Sequence, residues 1–195
     1  AYSTANATAN ATPKVVCKNV WKLFGPNPRS VIDALEAGGS KEEILARTGH
    51  VMAVCDISFA VQPGESFVVM GLSGSGKSTL LKLLSGLYRA RKGSVIADGV
   101  DIQQIEPADL RRNVLYVSQE ARLFYGTWRE HLKAGNPRAD DDMLVKVATA
   151  FGVNNFAASH PRGYDMMIGE QGVGLSGGQR QRIAIARALF GNPRV

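Results

Sequence analysis

The apolar residues of this chain change period along its length, and each change predicts an element. From Val15 to Phe24, β-branched and aromatic residues alternate weakly with polar ones, which predicts a strand closed by Gly25-Pro26-Asn27-Pro28. Val31, Ile32 and Leu35 then share a helix face. Ser40-Lys41-Glu42-Glu43 places a capping serine three residues before a glutamate and opens a short helix through Leu45. Val51 to Val61 predicts a second strand, Pro63-Gly64-Glu65 a turn, and Ser66 to Met70 a buried strand that runs into a glycine-rich loop. Beyond Lys77, the positions Leu80, Leu81, Leu83, Leu84 and Leu87 mark a helix packed on a sheet. Ser94 to Ala97 and Val114 to Val117 predict further strands, with a short helical start at Pro107 between them. Asp140 to Phe151 and Gln179 to Phe190 predict helices, so the second half is mostly helical. There is no internal repeat.

Residues 29–48 interrupt the strands. A solvated surface insertion is the plain expectation for such a connection, and a partner-docking element the sharper one.

Composition narrows the class. With 195 residues, 45% of them apolar and 21% charged, the chain can bury a full core as one globular domain, with room for lobes. No stretch approaches the roughly 20 apolar residues that cross a bilayer, so no direct membrane span is expected and a membrane role requires a partner. The excess of 23 Lys and Arg over 17 Asp and Glu suits a polyanionic ligand or an anionic leaflet and is too mild to indicate nucleic acid. Cys17 and Cys55 lack metal-ligand or C-x-x-C spacing and are expected to be small hydrophobes on strands in a reducing cytosol. Residues 1–13, rich in Ala, Asn and Thr, have neither the basic nor the apolar region of a secretory signal and are expected to be a disordered tail.

The glycine loop carries the first chemistry. Gly71-Leu72-Ser73-Gly74-Ser75-Gly76-Lys77-Ser78-Thr79 fits the P-loop pattern, in which glycines let backbone N–H groups turn toward a phosphate and the next helix points its positive end at the anion. Lys77 would reach the β- and γ-phosphates, Ser78 would ligate Mg²⁺, and Thr79 would contact an α-phosphate oxygen. A chance glycine-rich turn would lack the strand before and helix after, and both are predicted here. Leu175-Ser176-Gly177-Gly178-Gln179 is a second anion-site candidate: a serine cap followed by exposed glycine amides at a helix start. Gln119 follows an apolar segment and, alone, would be a polar strand end.

Together these motifs resemble the ATP-binding-cassette (ABC) ATPases, the second one letter for letter, over nearly all of residues 14–195. The resemblance implies a P-loop α/β fold: a RecA-like core, a small antiparallel β-subdomain and an α-helical signature subdomain at about residues 120–180. It implies ATP and Mg²⁺ as ligands, held by Gly71, Ser73, Gly74, Ser75, Gly76, Lys77, Ser78 and Thr79, with Lys77 and Gln119 in catalysis and Ser78 and Gln119 on the metal. Ser176, Gly177, Gly178 and Gln179 would close on the γ-phosphate held by another subunit, in a head-to-tail homodimer or heterodimer. Phe24 corresponds to the aromatic that stacks on adenine, with a core phenylalanine as the alternative. The partners implied are transmembrane transporter domains, and the location is the cytoplasmic face of the cell membrane.

Two subfamilies are visible. Residues 14 to about 80 resemble glycine betaine/proline importer ATPases; from about 81, and especially at Gly169-Glu170-Gln171-Gly172, the chain resembles type I secretion exporter ATPases. A chimera joined near the P-loop is one expectation, a single divergent natural sequence the other, and residues 29–48 are expected to be removable without harm to the nucleotide site. Asn192-Pro193-Arg194-Val195 is where relatives begin the Walker B strand. A domain truncated there, binding nucleotide without turnover because the acidic pair and switch histidine are missing, is expected. A soluble non-transport ABC protein is the further alternative.

Overall fold

The computed structural model describes residues 12–26 and 28–195, so the greater part of the tail expected at 1–13 lies outside the described residues. The chain divides between Leu110 and Arg111 into two compact units.

The first unit is built on an antiparallel sheet. Its strands are β1 (Val15–Phe24), β2 (Val51–Val61), β3 (Lys92–Ala97) and β4 (Val100–Asp101), in the order β2-β1-β3-β4. The two long strands span the expected residues; in β1 Val15, Cys17 and the run from Val20 to Leu23 are buried, and in β2 Val54 is buried. β1 pairs with β2 from Val15 opposite Val61 to Phe24 opposite Val51, with register shifts between Cys17 and Val20. There Asn19 takes a left-handed conformation, and its side chain donates to Asp56 Oδ1 at 2.9 Å while its amide donates to Ser58 Oγ at 2.8 Å.

Between β1 and β2 lie α1 (Pro28–Glu36) and α2 (Lys41–Thr48). Ser40 caps α2 as expected, accepting from the Glu43 amide at 3.1 Å, and the helix continues past Leu45 to Thr48. Val31, Ile32 and Ile44 are buried against Trp21 and Leu23 of β1, so the insertion forms a satellite core on that strand. Its polar face is in water, but it is not a merely solvated loop.

Two expected strands are absent. Ser66 to Met70 and Val114 to Val117 have no strand ladder among the described residues. A strand exists through its partners, and local apolarity cannot supply them. Phe67 stacks on Phe59 of β2 at 4.6 Å between centroids, whereas Val68 and Met70 are 74% and 87% exposed. Around the second segment isolated bonds form: Leu115 N donates to Val195 O, and Arg194 N and Val195 N both donate to Asn113 O.

Two more helices complete the regular elements that begin in the first unit. α3 (Lys77–Leu84) follows the glycine loop, and α4 (Pro107–Asn113) begins at the expected proline and crosses the unit boundary. The second unit gathers α5 (Trp128–Lys133), α6 (Asp141–Ala150), α7 (Asn154–Ala157) and α8 (Gly177–Phe190) about Trp128, Leu132, Leu144, Ile183 and Phe190. A short ladder of β5 (Gly126–Thr127) with β6 (Met167–Ile168) lies beside them and contributes Ile168 to this core. Thr127 and Glu130 form a reciprocal capping box that starts α5. Arg129 bridges Asp141 and Asp165, and Lys133 also reaches Asp141, which ties α5 to the start of α6. Among the described residues no helix is long and apolar enough to cross a membrane.

Candidate functional site

The glycine loop lies in the first unit and leads directly into α3. Gly76, the residue before the helix, has φ 87°, and no side chain caps α3. The amides of Lys77, Ser78 and Thr79 accordingly have no backbone acceptor among the described residues; the first ladder bond is Leu80 N to Gly76 O at 2.8 Å. Uncapped N–H groups at a helix start carry partial positive charge along the axis and suit an oxyanion. Lys77 folds across the same loop. Its Nζ donates to the carbonyls of Gly71 at 2.7 Å and Leu72 at 2.6 Å and to Ser75 Oγ at 3.3 Å. The ammonium is thus parked on exchangeable acceptors beside unpaired donors. Ser73, Gly74, Ser75 and Ser78 are exposed, and Gly71 and the run from Gly74 to Lys77 share the lining of a cavity of about 430 Å³ with Met52 to Cys55 of β2.

Phe24 closes β1 and is 39% exposed, so it is not a core phenylalanine. Tyr88, in the segment after α3, meets it edge to face at 5.6 Å and 77°. Lys22, two residues earlier on the strand and 8% exposed, holds Nζ 5.1 Å from the centroids of both rings. That ammonium donates to the Arg89 carbonyl at 3.0 Å. Burial, and then the charge of Arg91, lower the Lys22 pKa. Lys82, in the last turn of α3, stands 5.3 Å from the Tyr88 ring. Sequence reasoning missed this cluster. Lys22 was findable, because residues two apart on a strand share a face; Tyr88 was not, because its approach depends on the turn after α3.

The second motif lies in the second unit. Ser176 caps α8 in a capping box: its Oγ accepts from the Gln179 amide at 3.2 Å, and its amide donates to Gln179 Oε1 at 2.8 Å. The serine hydroxyl proton stays available to an external acceptor. A Cβ at Gly177 or Gly178 would meet nothing within 4 Å, and neither glycine has positive φ. The fold therefore does not require glycine at either position, and the open space in front of them is available to a ligand. Gln119 is exposed and follows Ser118, whose hydroxyl donates to the Glu120 carbonyl at 2.6 Å. Glu170 to Gly172 form a single 3-10 turn followed by Val173, which is 76% exposed.

Among the described residues no group of three His, Cys, Asp or Glu side chains is placed to hold a metal ion. A Mg²⁺ ion would depend on one or two protein oxygens, with Ser78 the candidate in the first unit, and on oxygens of the nucleotide and water, which is how that ion is ordinarily bound.

The family model described as ABC transporter matches residues 54–195. The chain is 46% identical over 143 residues to the cyclolysin secretion/processing ATP-binding protein CyaB of Bordetella pertussis, covering 73% of this chain and 20% of that protein. It is 37% identical over 193 residues to the glycine betaine/proline betaine transport system ATP-binding protein ProV of Escherichia coli, covering 93% of this chain and 46% of that one. A solved structure of a bacterial Atm1-family ABC exporter with ATP bound superposes with a TM-score of 0.75 at 29% identity, covering 97% of this chain and 30% of the exporter chain. The chain therefore spans about a fifth of the secretion protein and just under half of the importer subunit.

Proposed function

The chain belongs to the ABC transporter family and carries its ATP-binding P-loop fold, and from that premise we propose that residues 14–195 bind MgATP in an ATPase that powers substrate transport across a membrane. The observation that carries this reading is the uncapped start of α3 with Lys77 folded over the loop carbonyls. Lys77 exchanges those carbonyls for β- and γ-phosphate oxygens, and the amides of Lys77 to Thr79 donate to the same anion. Ser78 would hold Mg²⁺, which would supply charge neutralisation at the phosphates. Phe24, exposed at the end of β1, offers its ring to adenine.

Ser176, Gly177, Gly178 and Gln179 close on the γ-phosphate of a second ATP-binding domain in a head-to-tail dimer. Two observations support this: the free space before the glycines and the hydroxyl proton left on Ser176. The dimer in turn works on transmembrane domains at the cytoplasmic face of a membrane. Likeness to an importer subunit over 93% of the chain, and stronger identity to a secretion protein over 73% of it, favour a mosaic of the two types.

Isothermal calorimetry of the full chain with MgATP and MgADP tests the central assignment. Binding to the parent chain and its loss in Lys77→Ala are expected; equal binding by the two proteins overturns it.

A further inference from the structure

We infer that Lys22 and Tyr88 are positioning residues for the adenine ring, holding Phe24 as a base platform through a shared cation between two aromatic faces. The inference rests on the reading of Phe24 as the adenine partner and extends it to residues that do not themselves touch the base.

The geometry starts with a cation that is costly to bury. Lys22 is 8% exposed as a residue, and its Nζ donates to the Arg89 carbonyl at 3.0 Å. The Phe24 and Tyr88 rings, each 5.1 Å away, supply the remaining negative potential through their π faces. The ammonium is therefore satisfied only while both rings stay in place. Phe24 is at a strand end and well exposed, where an unsupported ring would rotate freely. Tyr88 blocks that rotation from the side, at 77° to the Phe24 plane. A cation on one face also draws π density toward itself, so the opposite face repels an electron-rich aminopurine less.

The support is connected to the phosphate site. Lys82 stands 5.3 Å from the Tyr88 ring and belongs to α3, the helix whose first turn carries Lys77 and Ser78. One rigid element thus carries the phosphate donors at its start and a contact to the base platform near its end. A lysine placed only to satisfy a buried position would need the Arg89 carbonyl and would have no reason to sit equidistant from two rings.

The test compares ligands with and without a base. MgATP and inorganic tripolyphosphate with Mg²⁺ are titrated into the full chain and into Lys22→Met, Lys22→Arg, Tyr88→Leu and Phe24→Ala, with melting curves confirming that each variant folds. Lys22→Met and Tyr88→Leu are expected to weaken MgATP binding about three- to tenfold, the scale of one desolvated cation–π contact, and to leave tripolyphosphate unchanged. Lys22→Arg keeps the cation and should recover most of the loss. Lys22→Met on top of Phe24→Ala should add nothing, since the platform is already gone. Normal MgATP affinity in Lys22→Met with a loss in Phe24→Ala would overturn the positioning role and leave Phe24 as the platform. No loss in Phe24→Ala would overturn the adenine assignment itself. Equal weakening of both ligands in Lys22→Met would reduce Lys22 to a structural residue. If Lys22→Met does not fold, Tyr88→Leu decides alone: unchanged MgATP affinity refutes the inference.

Discussion

A Cβ placed on Gly76 would fall 1.9 Å from the carbonyl oxygen of Ala53, inside any permitted contact. The glycine before Lys77 is therefore demanded twice, by its φ of 87° and by the backbone of β2 passing beneath it. Gly76→Ala must move either the loop or the strand. It should destabilise the chain by about 1–3 kcal/mol and weaken nucleotide binding together with stability. Urea unfolding and calorimetry on the same preparation check this; a variant of parental stability would show that the loop and β2 separate freely.

The second motif should behave in the opposite way. Because nothing stands within 4 Å of a Cβ at Gly178, Gly178→Ala should leave the melting temperature unchanged or slightly raised, alanine being the better helix former. Ser176→Ala, which removes the cap of α8, should cost about 1 kcal/mol, with Ser176→Asp recovering most of it. Calorimetric melting of the three variants separates the roles: a large loss in Gly178→Ala would mean that the glycine serves the fold.

Cys17 is 2% exposed on β1, and burial pushes its thiol up to about 12. Thiolate is the reactive form, so Cys17 should resist a disulfide reagent in mildly alkaline buffer while the half-buried Cys55 reacts. Both should react in denaturant. Titration of reactive thiols in the native and unfolded chain gives the count, and fast modification of Cys17 in the native state would contradict its burial.

Asp141 accepts from Lys133 at 3.0 Å and from Arg129 at 2.7 Å, and these two cations hold its carboxyl below the ordinary aspartate range. A carboxyl whose folded pKa is depressed adds stability above its unfolded pKa and loses that contribution as pH falls through the folded value. The chain should therefore lose stability on acidification over that interval, and Asp141→Asn should flatten this limb. The Asp141 side chain is 62% exposed, so high salt should shrink the difference between the two proteins. Melting temperature against pH at two salt concentrations measures it; parallel curves would remove Asp141 from the acid response.

What was legible in the sequence was local. The bounds of β1 and β2 follow from runs rich in β-branched and aromatic residues closed by turn residues, and the starts of α2 and α8 from serines that cap their own helices. What was not legible depended on distant partners. Ser66 to Met70 has the composition of a buried strand, but a ladder is made by neighbours that composition does not name. Lys22 and Tyr88 meet only because the turn after α3 returns the chain to the end of β1. Gly135 presents the same difficulty: a Cβ there would lie 2.0 Å from the Arg187 carbonyl, a close approach of α5's end to α8 that no local pattern announces.

The satellite core on β1 bears on how this domain can be inherited. Because Val31, Ile32 and Ile44 cover Trp21 and Leu23, cutting out residues 29–48 would turn an indole and a leucine toward water, and stability would fall even where nucleotide binding survives. The two helices and the strand beneath them are thus a single heritable unit. A recombination that brought in the helices without their apolar strand, or the strand without its helices, would leave one exposed greasy surface in either case. Any viable crossover lies outside the whole segment from β1 to β2.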